Sequence, residues 1–175
     1  MISSGIIRRI DELGRIVIPK EIRKKLHIRT GDNLEILVEN DDILLKKYSF
    51  IENISNVIDS YASAFNNVLK YNIIITDTDK IIAVSGNLKK KYENLEISSF
   101  IEKVIDRREY SFVNKISTIE LSPGLIEDGY YVTAPIICNG DGFGAVIILS
   151  LNTPMLPGED KLALILADLL CNYFV

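Results

Sequence analysis

Arg8, Arg9 and Arg15 stand on the two sides of a single four-residue turn, Asp11-Glu12-Leu13-Gly14, between two short apolar runs. A guanidinium is permanently charged and presents a planar fork of donors that fits phosphate oxygens and the major-groove edge of guanine. Three such groups around one turn repel one another, and Asp11 and Glu12 are the only anions nearby in sequence. The arrangement predicts a basic clamp on DNA. Lys25 reads differently, because Glu21 lies four residues ahead of it, where an ion pair on a helix face is the simpler reading.

The elements that would hold these groups can be read outward from the turn. Gly5–Ile10 and Arg15–Ile18 are rich in β-branched residues, and Gly14 can take the positive φ that a hairpin loop needs. Pro19 fixes φ where a helix can start, Glu21 places negative charge in its first turn, and Ile22 and Leu26 share a stripe, so a helix is predicted over residues 19–26. Thr30-Gly31-Asp32-Asn33 breaks the chain. A second hairpin is predicted from Leu34–Val38 and Ile43–Lys46 around Glu39-Asn40-Asp41-Asp42. Two isolated hairpins in about 48 residues cannot bury much surface, so the reading is an intertwined dimer whose two basic faces are related by a two-fold axis.

The run Gly5-Ile6-Ile7-Arg8-Arg9-Ile10-Asp11-Glu12-Leu13-Gly14-Arg15-Ile16-Val17-Ile18-Pro19-Lys20-Glu21-Ile22-Arg23, with Gly31-Asp32 and Ile43-Leu44-Leu45-Lys46-Lys47-Tyr48 after it, resembles the AbrB-type swapped-hairpin DNA-binding domain. The resemblance covers nearly all of residues 1–48. It implies that basic residues of the first hairpin and the following helix meet DNA, which falls on Arg8, Arg9, Arg15, Arg23 and Lys24, with Lys20 and Lys25 as weaker candidates. The chain as a whole resembles the regulators of spore-forming bacteria that join this head to a GAF domain. That resemblance implies a transcriptional regulator of sporulation genes.

Charge supports the division once the chain is cut. Residues 1–30 carry eight Lys/Arg against three acids, a net of +5, so the remaining residues carry −9 of the overall −4. A basic head on an acidic body concentrates the attraction for phosphates at one end. At 175 residues and 47% hydrophobic content there is room for one full domain beside the head, and no apolar run approaches the roughly 18 residues of a membrane span. The beginning of the sequence lacks the apolar stretch of a secretory signal, and the expectation is a cytoplasmic, nucleoid-associated protein with no membrane partner. Cys138 and Cys171 have no second Cys or His at metal-ligand spacing and read as buried small hydrophobes.

The predicted boundaries are residues 1–48 for the head and 49–175 for the body. Ser49 can cap a helix over residues 51–70, and so short a connection would couple head and body mechanically. Strands are predicted at 72–77 and 81–85, a helix near 95–107, strands near 111–121, 130–137 and 143–150, and a final helix over 158–174. Five antiparallel strands flanked by helices make an α+β body, and Tyr131-Val132-Thr133-Ala134-Pro135-Ile136 running through a glycine turn to Gly144-Ala145-Val146-Ile147-Ile148-Leu149 resembles a GAF domain. The expected fold class is mixed: a swapped-hairpin, β-barrel-like dimeric head followed by a GAF-like α+β body.

The two end helices are more apolar than one sheet face requires, and they read either as cover for the sheet or as a dimer seam; a seam plus an intertwined head would make a tetramer. GAF-like bodies imply a small-molecule effector of unknown identity with residues 86–128 as pocket wall, where Arg107, Arg108, Glu109, Tyr110, Glu127 and Asp128 are the polar candidates. No cofactor and no metal are expected. The lone histidine, His27, falls at the end of the head helix, where it would meet free carbonyls, and no cysteine sits in an attachment motif for haem or bilin. Nor is an enzyme expected: there is no G-x-S-x-G, no Walker loop and no histidine beside either cysteine, and Gly140-Asp141-Gly142-Phe143-Gly144 lacks the helix a phosphate cradle needs. Two alternatives stand, an antitoxin of a toxin–antitoxin pair and a sensor module that does not bind DNA.

Overall fold

In the computed structural model residues 5–26, 28, 30–31, 33–48 and 54–173 are described, and the chain divides into two compact units, Met1–Tyr48 and Ser49–Val175. The expectations for His27, the Ser49 cap and Ile51 lie outside the described residues.

In the first unit, residues 5–10 and 15–19 flank a turn at 11–14, and helix α1 (Lys20–Lys25) follows with Pro19 as its N-cap. Strands β1 (Leu34–Glu39) and β2 (Asp42–Lys47) then pair antiparallel from Leu34↔Lys47 to Glu39↔Asp42. The loop between them is tighter than the four residues expected. Only Asn40 (φ 47°) and Asp41 (φ 68°) lie between the strands, and both take the left-handed conformation that a two-residue type I′ turn demands and that Asn and Asp tolerate. A second difference concerns the first hairpin, whose arms form the turn but no strand ladder within the chain. The reason lies in burial. Among the described residues none of the first unit's Ile, Leu or Val side chains is buried, and Ile7 is 92% and Val17 75% exposed, so the described residues of this unit leave most of the arms uncovered.

The second unit is a five-stranded, wholly antiparallel sheet between two helical layers. Strands β3 (Asn72–Thr76), β4 (Ile81–Ser85), β5 (Ser111–Ser122), β6 (Leu125–Cys138) and β7 (Asp141–Ser150) stand in the order β4-β3-β7-β6-β5. Being central, β3 is buried along its whole length and β7 from Gly144 onward; these are the unbroken apolar runs of the sequence. Helices α2 (Ser55–Leu69) and α5 (Lys161–Cys171) cover one face, where Ile58, Ala62, Ala163, Leu166 and Leu170 meet Ile73, Ile75, Val132, Ala134, Val146 and Ile148. The other face carries α3 (Lys89–Tyr92) and α4 (Ser99–Arg107), with Tyr92, Ile101, Val104 and Ile105 against Ile74, Val84, Ala145 and Ile147. Alternation along each strand decides which layer a side chain joins.

Two boundaries and one pairing differ from expectation. The helix predicted from residue 95 begins at Ser99, because Ile81 N–H donates to the Leu95 carbonyl, Ile97 N–H donates to Asp79, and Ser98 caps the helix by accepting from Ile101 N–H at 3.3 Å. Strand β6 starts at Leu125 rather than near 130, since Ser122-Pro123-Gly124 turns tightly enough for Leu125 to pair with Ser122. Finally, Cys138 and Cys171 are not two separate buried thiols. They are paired across β6 and α5, a proximity that 33 residues of separation hide from the sequence.

Candidate nucleic-acid interface

The turn that carries the arginines is built by Asp11. Its Oδ1 accepts hydrogen bonds from the backbone N–H groups of Leu13 (3.0 Å) and Arg15 (2.8 Å), and its Oδ2 accepts from Arg15 Nε (2.8 Å). Gly14 closes the loop at φ 76°, donating its N–H to the Asp11 carbonyl, while Asp11 N–H reaches the Arg15 carbonyl. An aspartate at the first position of a turn is the residue type that does this, because its short carboxylate mimics a backbone acceptor. The residue type carries that signal in the sequence, beyond the nearby negative charge that Asp11 supplies.

These bonds, the Arg15 backbone N–H first and its guanidinium second, hold the Asp11 carboxyl below its ordinary value of 3.8. A depressed folded-state value means the turn is supported above the ordinary carboxylate range and loosens as pH falls through the lowered one. Amide shifts of Leu13 and Arg15 followed by NMR from about pH 5 downward should therefore move together, and in Asp11→Asn that joint movement should be absent.

Arg15 remains 71% exposed while it touches Asp11, and an exposed ion pair of this kind contributes little, so a phosphate can take the place of the carboxylate. Arg8 and Arg9 are exposed on the arm before the turn. On α1, Lys20, Lys24 and Lys25 are exposed, whereas Arg23 is half-buried and its Nε is buried without a hydrogen-bond partner. Arg15 is thus brought onto Asp11, Arg8, Arg9 and Lys24 face solvent, and Arg23 turns partly inward. Of the five expected DNA-contacting side chains, four are exposed and one is half-buried.

Three of the polar candidates of the body, Glu127, Asp128 and Tyr110, are engaged in hydrogen bonds within it. Glu127 Oε1 accepts from Lys91 Nζ (2.6 Å) and from the hydroxyl of Tyr92 (2.9 Å), and Thr118 donates to Asp128 (2.7 Å). Tyr110 donates to Asp160 Oδ2 at 2.6 Å; partial burial first, and that carboxylate second, push its phenol up to about 12. Arg107 and Arg108 end α4 in the open. Among the described residues no cluster of His, Cys, Asp and Glu could hold a metal, and no helix is long and apolar enough to cross a membrane.

A basic turn and short helix followed by an antiparallel sheet covered on both faces define a DNA-binding transcription regulator with a GAF-like body. The family model described as Stage V sporulation protein T C-terminal, transcription factor, matches residues 53–173, and a second, for the antidote-toxin recognition antitoxin MazE, matches residues 7–52. The chain belongs to the Stage V sporulation protein T family. It is 44% identical over 163 residues to the Stage V sporulation protein T of Bacillus subtilis, spanning 92% of both chains. Its head is 56% identical over 48 residues to the transition state regulatory protein AbrB of the same organism, which is 27% of this chain and 50% of that one. The fold is similar to the cofactor-binding GAF domain of the nutrient sensor CodY from Clostridium difficile, with a TM-score of 0.51 at 14% identity, covering 89% of this chain and 94% of that one. The chain is a regulator of sporulation transcription with an AbrB-like head and a GAF-like body, and neither alternative is favoured.

Proposed function

We propose that two heads interlock into a dimer that binds double-stranded DNA through Arg8, Arg9, Arg15, Arg23 and Lys24. The observation that carries this reading is the coincidence, in residues 5–48, of exposed cations with uncovered apolar side chains. The apolar set, Ile7, Val17, Val38 and Ile43 among it, calls for a second copy, and that copy doubles the cations about a two-fold axis suited to duplex DNA. Arg23 serves from the partly buried side of α1. In this reading phosphate contacts fix the register and a few base-edge contacts select the site.

The body assembles dimers into a tetramer through the outer faces of α2 and α5, where Val68 of α2 is 82% exposed and Leu164, Ile165 and Leu169 of α5 are exposed. Tyr61 and Tyr173, with hydroxyls 3.1 Å apart, tie the two helices into one layer. The small-molecule effector enters on the opposite, α3–α4 side, where Thr133 is buried and its Oγ1 lacks a hydrogen-bond partner. The protein acts by binding rather than catalysis, in the cytoplasm and on the nucleoid. The test is retention of sheared genomic DNA by the full chain at moderate salt. The wild type should hold a subset of fragments against competitor DNA and the double variant Arg8→Ala/Arg9→Ala should lose them; equal retention by both would refute the assignment.

A further inference from the structure

The last residue of β6 and the last residue of α5 are the chain's two cysteines, Cys138 and Cys171. They are joined as a disulfide with Cα atoms 5.5 Å apart, within the span such a bond requires. Helix α5 is held on the sheet by Ala163, Leu166, Ala167 and Leu170, an apolar stripe at helical spacing, and Cys171 continues it on the flank between buried Ala167 and exposed Leu164. The two sulfurs differ in access. Cys138 is 1% exposed within the core, whereas Cys171 is only half-buried, so a dissolved thiol or disulfide can reach the pair from the helix side alone.

We infer that Cys138 and Cys171 form a site of reversible oxidation, with a low-molecular-weight disulfide as oxidant and its thiol as reductant, which clamps the final turn of α5 to the sheet. In closing, the Cys171 thiolate attacks one sulfur of the small disulfide, forming a mixed disulfide and expelling one small thiolate. The Cys138 thiolate then attacks the Cys171 sulfur and expels the second. Two protein thiols are oxidised, one small disulfide is reduced to two thiols, and the protons of the protein thiols end on the leaving groups. Reduction runs the same steps backward.

The clamp adjusts the helix rather than creating it. With the bond open, the apolar stripe still seats residues 163–170, and only the last turn, next to the contact between Tyr173 and Tyr61, is released. In the closed state that turn loses the freedom to fray. In a compartment kept reducing by small thiols, disulfides that do form are characteristically the sensing kind, which suits a bond placed where one sulfur is reachable.

The test uses the full chain equilibrated with oxidised or with reduced glutathione, then read by alkylation with intact mass, thermal melting and amide hydrogen exchange. The oxidised wild type should resist alkylation at both cysteines, show the intact mass of a single chain under denaturing conditions, and melt about 5–10 °C above the reduced form. Its exchange in the last turn of α5 should slow about tenfold. Cys171→Ser, and separately Cys138→Ala in case serine at a buried position is poorly tolerated, should melt alike in both buffers. Full alkylation after oxidised glutathione, bonding between chains instead of within one, or closure that leaves melting and α5 exchange unchanged would each overturn the site. No arm of the experiment involves DNA, so its failure would leave the regulatory reading standing.

Discussion

Arg15→Ala lowers affinity for duplex DNA about a hundredfold and leaves the melting of the body unchanged. A lost contact to phosphate or base edge costs about 1–3 kcal/mol, and a two-fold symmetric head loses it twice on one site. The substitution is clean because of where the side chain stands. It is 71% exposed, its ion pair with Asp11 is a surface pair, and the turn keeps the Asp11 bonds to the backbone N–H groups of Leu13 and Arg15. Arg15→Lys should recover part of the loss, since charge returns but the planar fork does not. Gel-shift titration of the variants on a retained fragment checks this. Unchanged affinity in Arg15→Ala would remove the central residue of the proposed interface.

Gly144→Ala unfolds or severely weakens the body. A Cβ on Gly144 would meet the Thr76 carbonyl, with the Thr76 carbonyl carbon 2.9 Å and Asp77 Cα 3.1 Å away, all of it backbone at the end of the central strand β3. The only relief is to part β3 from β7, which disturbs the pairing of Thr76 with Ala145 and the 3.1 Å hydrogen bond from Ala145 N–H to Thr76 Oγ1. Overpacking against fixed backbone costs about 3 kcal/mol or more, equivalent to roughly 6–12 °C in the melting midpoint of a chain this size. Ala at Gly140, which has φ 90° but open space around it, serves as the comparison and should cost less. A Gly144→Ala protein that melts like the wild type would mean that β3 and β7 do not approach as described.

Both predictions show what a sequence can and cannot convey about this molecule. Ile73 to Ile75 and Val146 to Leu149 are legible as central strands because a strand buried on both faces must be apolar at every position, and nothing outside the segment is needed to see it. The polar stretch Ile126-Glu127-Asp128-Gly129 looks like loop yet is strand, because Ile126 and Asp128 lie on the open face of the β5–β6 pair while Glu127, on the other, is held by Lys91 and Tyr92. The Cys138–Cys171 pair is invisible from spacing, being a product of how α5 lies on β6. In the head the turn and α1 are local and can be read directly. The arms from Gly5 and Arg15 are not, since most of their apolar side chains find no cover among the described residues of the head.

The basic residues divide along the same line. Residue type and the position of the turn mark Arg8, Arg9 and Arg15 as a group, because charge and turn chemistry are local properties. That Arg23 turns partly inward while Lys24 faces out depends on how α1 rests on the residues around it, which the spacing of KEIRKK does not encode. The grip of Asp11 on Arg15 also follows from the turn, and it leaves a charge that DNA can take over.

The central claim is that cations of paired heads displace counterions from a duplex, and the salt dependence of binding measures this most directly. For the full chain titrated onto a double-stranded fragment across a series of potassium chloride concentrations, about six neutralised phosphates predict a slope of log affinity against log salt near −5. A slope near zero, or an equal slope after Arg8, Arg9 and Arg15 are all changed to alanine, would contradict it.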